Sequence, residues 1–575
     1  MAGFTPTSEQ DAIVEHEGSA FISACPGAGK TRCIVERTRA VLSKPQTSRG
    51  LAFLSFTNAA VSELQERLEE DRLLPVPVFP HFVGTFDSFI WHYLVEPFGL
   101  DGCDSPLRVI PDTGDLIVTP FPSAQGLRLD CFERVTGEII PEEAGKVGFN
   151  RDPARYEMTA QHLRARLLER GQLDFDDVRR IANTNLEDES FSNRLGRILS
   201  ARFGEIIVDE AQDCNPDDLS IIDWLRATAK IPTKVVCDPH QSIYGFRGGV
   251  SDELFEYAST FEESERLPLT GNFRSSRHIC KAVHTLRAPS QRGEEDEALG
   301  ELKDSDLNIY VLSYGGQGVS TRIGAAFTAL AADNGIDLKD CRLTAKTRSS
   351  GSKAIGAYTD NVGQSLSLRL ADAVMKFHHA ASSRDQFAAI TDAHLITMIV
   401  SEKLNGRTYH QVVSEDSLEA LSWRGQVVKI LQSLRFDAAA AGHTRVEWIA
   451  RARSALSPFL PAGVGSIAQK LRNQAELDNI LGSVPAPGLS ARTIHEVKGK
   501  QYQGVCVVMT TAKAKGILTH LEKEPDNSRA EDARELYVAA SRAQKLLVFA
   551  CPKSQSKRLA KHISSSGAAA QVTEI

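Results

Sequence analysis

Two adjacent carboxylates, Asp209 and Glu210, follow the apolar run Ile206–Val208 in IIVDEAQD. A buried strand would lift both acids to its end, where one can hold a cation and the other can orient or deprotonate a water. A strand-helix unit later, VVCDPHQSIYGFRGG carries a second apolar run into Asp238 and places Gln241 where an amide could sense a terminal phosphate. Strand-end acids are often merely solvated, so this chemistry needs a phosphate cradle in the same chain. Residues 24–31, ACPGAGKT, supply one, with Ala24 at the first glycine of the P-loop pattern. The turn Pro26, Gly27, Ala28, Gly29 lets backbone N–H groups point inward at phosphate oxygens. Lys30 sets a cation near the β and γ phosphates, and Thr31 offers a hydroxyl to magnesium alongside Asp209. The expected ligands are therefore a nucleotide and Mg2+.

Two arginines could neutralise charge on a transferring phosphoryl group: Arg274 in LTGNFRSS and Arg542 in ELYVAASRA. An isolated arginine is more often a surface ion-pair partner, so that alternative stays open. Gln10 could read an adenine edge, with Arg32 and Phe273 on the two faces of the ring. A helix-surface glutamine and a core phenylalanine are the competing readings.

A third constellation mixes aromatic, hydroxyl, amide and basic groups: Phe56, Thr57, Asn58, Thr85, Tyr244, Phe246, Arg247, Thr493 and His495. Rings can stack bases without sequence preference while the polar groups hold phosphates. Core packing is the alternative for Phe56 and Phe246, and a structural hydrogen bond for His495.

The elements that must position these groups follow a βα rhythm, which predicts parallel sheets. The rhythm runs over residues 1–89, breaks over 90–185, returns at 186–267, starts a second α/β section near Leu267, breaks again over 351–484 and resumes from 485. In the first break, LDFDDV reads as a helix start, with Asp174 as N-cap, Asp177 at the third position, and Leu173 and Val178 as a staple. Ser483–Gly488 reads as a linker, no internal repeat stands out, and the small, polar tail after Lys557 is expected to fray.

The 575 residues allow several domains, and 42% hydrophobic with 24% charged residues is ordinary for a globular chain. No apolar run reaches spanning length and MAGFTPTSEQ has no signal-peptide core, so a cytoplasmic protein with no membrane partner is expected. The net charge of −8 disfavours a basic nucleic-acid-coating surface but permits a local channel. The ten cysteines show no zinc spacing, which predicts reduced, buried thiols. For Cys25 a small filler role competes with a reactive thiol.

Taken in order, FTPTSEQ, ACPGAGKTR, LSFTNAA, VGTFDSF, IIVDEAQD, VVCDPHQSIYGFRGG, LTGNFRSS, ARTIHEVKGKQY and ELYVAASRA resemble the motif set of the UvrD/Rep-like superfamily 1 helicases, over residues 4–543. The resemblance implies two RecA-like P-loop motor domains with parallel sheets, each interrupted by a mainly helical insertion. The boundaries expected are 1–89 with 186–267, insertion 90–185, 268–350 with 485–575, and a reduced insertion 351–484. It also implies an ATP-driven motor moving 3′→5′ on single-stranded DNA and acting at single-strand/duplex junctions. It assigns nucleotide roles to Gln10, Lys30, Thr31, Arg32, Asp209, Glu210, Gln241, Phe273, Arg274 and Arg542, and DNA roles to Phe56, Asn58, Thr85, Tyr244, Phe246, Arg247 and His495.

The chain departs from that pattern at three positions. KGKQ places Gln501, a candidate ribose ligand, where the family carries glutamate. Asp87 replaces a histidine beside the DNA track, and Phe246 stands where several relatives carry tryptophan. The chain is short for the family, with no nuclease domain or C-terminal docking tail evident. Two functions are therefore expected. One is a DNA translocase and helicase in repair, recombination or defence. The other is an ATP-gated DNA-sensing subunit that recruits a nuclease or repair partner and unwinds little alone.

Overall fold

The computed structural model describes residues 6–44, 48–100, 102–121, 124–243, 251–316, 318–356, 365–379, 383–405, 407–415, 420–437, 440, 443–482 and 489–575. Two compact units emerge: residues 1–89, 183–359 and 485–575 form one, and residues 90–182 and 360–484 the other.

The first unit holds two six-stranded sheets. Across the first run Arg266–Leu269, Ala20–Ala24, Thr233–Cys237, Phe203–Val208, Gly50–Ser55 and Phe82–Thr85, each pair parallel. Strand Gly50–Ser55 is buried along its whole length, which suits its near-continuous apolar sequence, and Thr233–Cys237 is equally buried although it carries Lys234, whose ammonium donates to His16 O and Gly18 O. Across the second run Ala491–Thr493, Cys341–Ala345, Tyr502–Val508, Ala543–Pro552, Ile309–Tyr314 and Ala570–Glu574, again all parallel.

If strands are numbered by chain position within each sheet, both sheets read 6-1-5-4-2-3, the second from its opposite edge. The molecule therefore contains a topological repeat that the side chains do not display. Leu267 lies in the first sheet, and the second sheet begins at Ile309.

The tail corrects the sequence reading. Lys553–Ser564 is a helix, and Ala570–Glu574 pairs with Ile309–Tyr314 as the edge strand. Backbone hydrogen bonds to a strand some 260 residues upstream order a segment whose small, polar side chains suggested fraying.

In the second unit, helix Ala154–Glu169 packs on the short two-stranded pieces, while Leu366–His378 and Arg445–Leu456 both pack on helix Glu476–Leu481. The aspartates of LDFDDV form the expected reciprocal cap. Asp177 N–H donates to Asp174 Oδ1 at 2.9 Å and Asp174 N–H to Asp177 Oδ2 at 3.3 Å, opening helix Phe175–Glu187. Arg134 ties the cluster together, reaching Asp174, Asp177 and Asp176 at 2.7, 3.0 and 3.0 Å. The residues read as a linker, Ser483–Gly488, lie outside the described set, and among the described residues no helix is long and apolar enough to cross a membrane.

Candidate nucleotide and nucleic-acid site

The phosphate cradle follows strand Ala20–Ala24. Gly27 and Gly29 take φ of +76° and +80°, and helix Lys30–Leu42 starts with no side-chain cap on its first amides. Those amides and the helix dipole make an anion site at the turn. Gly27 is needed for space as well as conformation. A Cβ there would lie 2.6 Å from Arg274 Cβ and 2.9 Å from Asn272 Oδ1. Cys25 is buried, its Sγ donates to Thr270 O, and burial pushes its pKa well above the ordinary thiol value. It is a filler, not a reactive thiol.

Strand Phe203–Val208 delivers Asp209, whose N–H bonds Leu54 O at 2.8 Å. Glu210 then adopts left-handed φ of +59°, an uncommon conformation for a side chain of this kind. The two acids divide electrostatically. Burial and the Glu210 charge push Asp209 up to about 7. Burial works in the same direction on Glu210, but Lys30, Lys498 and Arg542 outweigh it and hold Glu210 below its ordinary value. Burial would lower the Lys30 ammonium, but Glu210, Asp238 and Asp209 leave it raised, so it stays cationic. Asp209 follows strand Phe203–Val208 within the field of Lys30, and Thr31 lies in the first turn of helix Lys30–Leu42; this carboxylate and this hydroxyl are the groups that could hold Mg2+ retaining several waters.

Gln241 is buried in the turn after Thr233–Cys237, and its Nε2 donates to Asp238 Oδ2 at 2.7 Å. Its Oε1 accepts from Arg542 Nη2 at 2.6 Å. Arg542 comes from the end of helix Ala530–Ala540 in the second sheet's section, and also donates to Val538 O and Ser541 Oγ. Arg274 donates from Nε to Gln501 Oε1 at 3.1 Å and from Nη1 to Ser541 O at 3.0 Å. Burial and the neighbouring Arg542 pull its pKa down. Both guanidiniums thus rest on neutral acceptors beside the cradle.

Of the adenine candidates, Gln10 is buried, with Oε1 accepting from Thr7 N–H and Nε2 donating to Ala28 O at 3.1 Å. It braces the cradle itself. Phe273 is 40% exposed, with its N–H on Gly27 O, and Arg32 pairs with Glu36 at 3.1 Å.

The described polymer candidates lie at or just after the C-terminal ends of three strands: Gly50–Ser55, the edge strand Phe82–Thr85 beside it, and Ala491–Thr493 at one edge of the second sheet. Ser55, just before Phe56, is in register with Thr85, and Ala345 is in register with Thr493. Thr57 caps helix Asn58–Glu70, Thr85 accepts from Ser88 N–H, and Thr493 forms a capping box with Glu496. Phe56 is half-buried against Phe86, and Asn58 is exposed. His495 Nε2 lies 3.2 Å from Ile243 O, a bond it makes as the Nε2–H donor. Asp87 is half-buried on the short helix Phe86–Ile90 that follows Thr85. Tyr244, Phe246 and Arg247 lie outside the described residues.

The structure adds residues that the sequence reading passed over. Gln212 joins Glu210 to Asp238, donating to the Glu210 carboxylate and accepting from Asp238 N–H at 3.1 Å. Asn272 Oδ1 accepts from Arg274 N–H at 2.8 Å and Ser275 N–H at 3.0 Å. Arg534 Nε donates to Ser242 O at 2.8 Å, and Lys498 pairs with Asp213. For Gln212, Asn272 and Lys498 the available signal was a polar residue inside a motif string, whereas Arg534 lies just ahead of ELYVAASRA.

The family model described as the UvrD/REP helicase N-terminal domain matches residues 6–116 and 133–262. YjcD of Bacillus subtilis, named as a provisional ATP-dependent DNA helicase, is 23% identical over 96% of this chain and 79% of its own length. Gabija protein GajB of Bacillus cereus is 24% identical over 47% of each chain. ATP-dependent DNA helicase UvrD1 of Mycobacterium tuberculosis is 26% identical over 52% of this chain and 42% of its own. The chain thus spans less than half the length of the last two relatives.

Proposed function

Since the chain belongs to the UvrD/Rep-like family of superfamily 1 helicases, we propose that it is an ATP-dependent, 3′→5′ single-stranded DNA translocase that unwinds duplex. The bond from Arg542 to Gln241 carries this reading, because it joins the second sheet's section to the phosphate-sensing turn of the first.

In the proposed cycle, ATP lies in the cradle of Pro26–Thr31, with Gln10, Arg32, Phe273 and Gln501 around its base and sugar. A magnesium ion held by Thr31 and Asp209 would polarise the phosphates. Glu210 takes a proton from the attacking water as the new P–O bond forms, and the β–γ bridging oxygen leaves with ADP. Lys30, Arg274 and Arg542 balance charge on the transferring group. Gln241 senses γ-phosphate loss and passes it to the adjoining 244–247 segment. The strand is held by Phe56, Thr57, Asn58, Thr85, Tyr244, Phe246, Arg247, Thr493 and His495, and advances as the two lobes close and open. In this scheme 1–89 with 186–267 and 268–350 with 485–575 are the motors, and 90–185 and 351–484 their insertions.

A second reading is compatible with the likeness to Gabija protein GajB: an ATP-gated DNA-sensing subunit that works with a nuclease or repair partner. Strand displacement on duplexes with one 3′ or one 5′ tail, with ATP and magnesium, tests the choice. Displacement of the 3′-tailed duplex alone is expected. Displacement favouring the 5′ tail contradicts the direction, and DNA-stimulated turnover without displacement favours the second reading.

A further inference from the structure

The ion pair between Lys498 and Asp213 joins parts of the site that come from different sheets. Their side chains are 7% and 4% exposed. Asp213 ends the turn Ala211–Asp213, and its N–H bonds Glu210 O at 3.0 Å, so the pair holds the turn that carries the proposed base. Lys498 Nζ also donates to Gln241 O at 3.3 Å, so the same ammonium holds the phosphate-sensing turn. A lysine suits this place, because its compact head offers several donors to a carboxylate and a carbonyl at once.

Lys498 is also the C-cap of the four-residue helix Ile494–Val497. Thr493 caps the other end of that helix, and His495 lies within it, bonded to Ile243 O. One turn of helix therefore separates the proposed DNA residues from the ammonium that touches both nucleotide-side turns. We infer that Lys498 is a positioning residue that relays strand occupancy at Thr493 and His495 to Glu210 and Gln241, and so sets how strongly DNA stimulates ATP turnover. This rests on the ATP- and DNA-dependent reading above. A static brace would have a different signature. Its loss would lower stability and both turnover rates alike, leaving their ratio intact.

ATP turnover is measured with and without single-stranded DNA for the wild type, Lys498→Met, Lys498→Arg and Asp213→Asn, alongside thermal melts. In Lys498→Met the DNA-stimulated rate is expected to fall on the order of 100-fold, the scale of a small misplacement of reacting groups. The unstimulated rate falls less, and the KM for ATP shifts by no more than about threefold. Lys498→Arg recovers part of the stimulation ratio. An unchanged ratio in Lys498→Met, or equal falls in both rates, overturns the inference. If Lys498→Met does not fold, Asp213→Asn carries the same comparison with the same two outcomes. A wild type without stimulation would instead refute the underlying function, whereas a stimulated wild type with an unaltered ratio in the variant refutes only the role of Lys498.

Discussion

Arg542 Nη2 donates to Gln241 Oε1 at 2.6 Å, linking the helix that leads into strand Ala543–Pro552 to the turn that follows strand Thr233–Cys237. The guanidinium is 2% exposed, and its bonds go to an amide, a carbonyl and a hydroxyl. Burial lowers the Arg542 pKa and the charges of Glu210 and Asp238 oppose that, but among the described residues no carboxylate takes a hydrogen bond from it, so its donors could turn to an arriving triphosphate.

Replacing Arg542 with Ala is therefore expected to lower ATP turnover about 1,000-fold while nucleotide binding persists, in line with other in-cis arginine fingers. Arg542→Lys should recover little, because one ammonium cannot reproduce the planar fork. Single-turnover hydrolysis beside fluorescent-nucleotide titration checks both.

Gly27→Ala and Gly29→Ala separate backbone strain from displacement of Arg274. Both positions have positive φ, so each substitution is expected to cost about 1–3 kcal/mol in strain. A Cβ at Gly27 would also meet Arg274 Cβ at 2.6 Å, whereas at Gly29 the nearest atom is Gln10 Nε2 at 3.2 Å. Gly27→Ala should therefore lose more turnover than Gly29→Ala for a similar fall in melting temperature, measured by parallel kinetics and melts.

Arg134→Met leaves Asp174, Asp176 and Asp177 facing one another without their shared cation. Asp174 is buried and also accepts from Thr113 Oγ1 at 2.5 Å. Removing one partner of such a cluster is expected to cost about 3–5 kcal/mol. A urea transition followed by a probe in the second unit should shift to lower denaturant.

Asp532 supplies a pH test. Burial alone would raise its carboxyl, but hydrogen bonds from Lys346 and Lys513 outweigh it and hold it down at about 2. A depressed folded pKa contributes stability above the unfolded value of about 3.9, lost as pH falls through about 2. Because the lysine partners are partly solvated, Asp532→Asn is expected to cost only about 1 kcal/mol near neutrality. The gap from wild type should narrow below pH 4 and close near pH 2 in thermal melts.

The sequence made the strand ends legible where apolar runs met acids, at Val208–Asp209 and Cys237–Asp238, because full burial of a parallel strand writes itself into side chains. The Asp174–Asp177 cap was legible because it is local. Edge strands Arg266–Leu269 and Ala570–Glu574 were not, since their order comes from backbone pairing with distant segments. The shared 6-1-5-4-2-3 strand order stayed hidden for the same reason: it repeats hydrogen-bond connectivity, not residue types. Lys498 and Asp213, 285 residues apart, could be seen as a pair only once folded.

The most direct test of the account is steady-state ATP turnover by the wild type and Glu210→Gln, with magnesium, in the presence and absence of single-stranded DNA. The account predicts that DNA raises wild-type turnover severalfold, and that Glu210→Gln binds ATP but does not turn it over. Equal wild-type rates with and without the strand would contradict it, as would turnover persisting in Glu210→Gln.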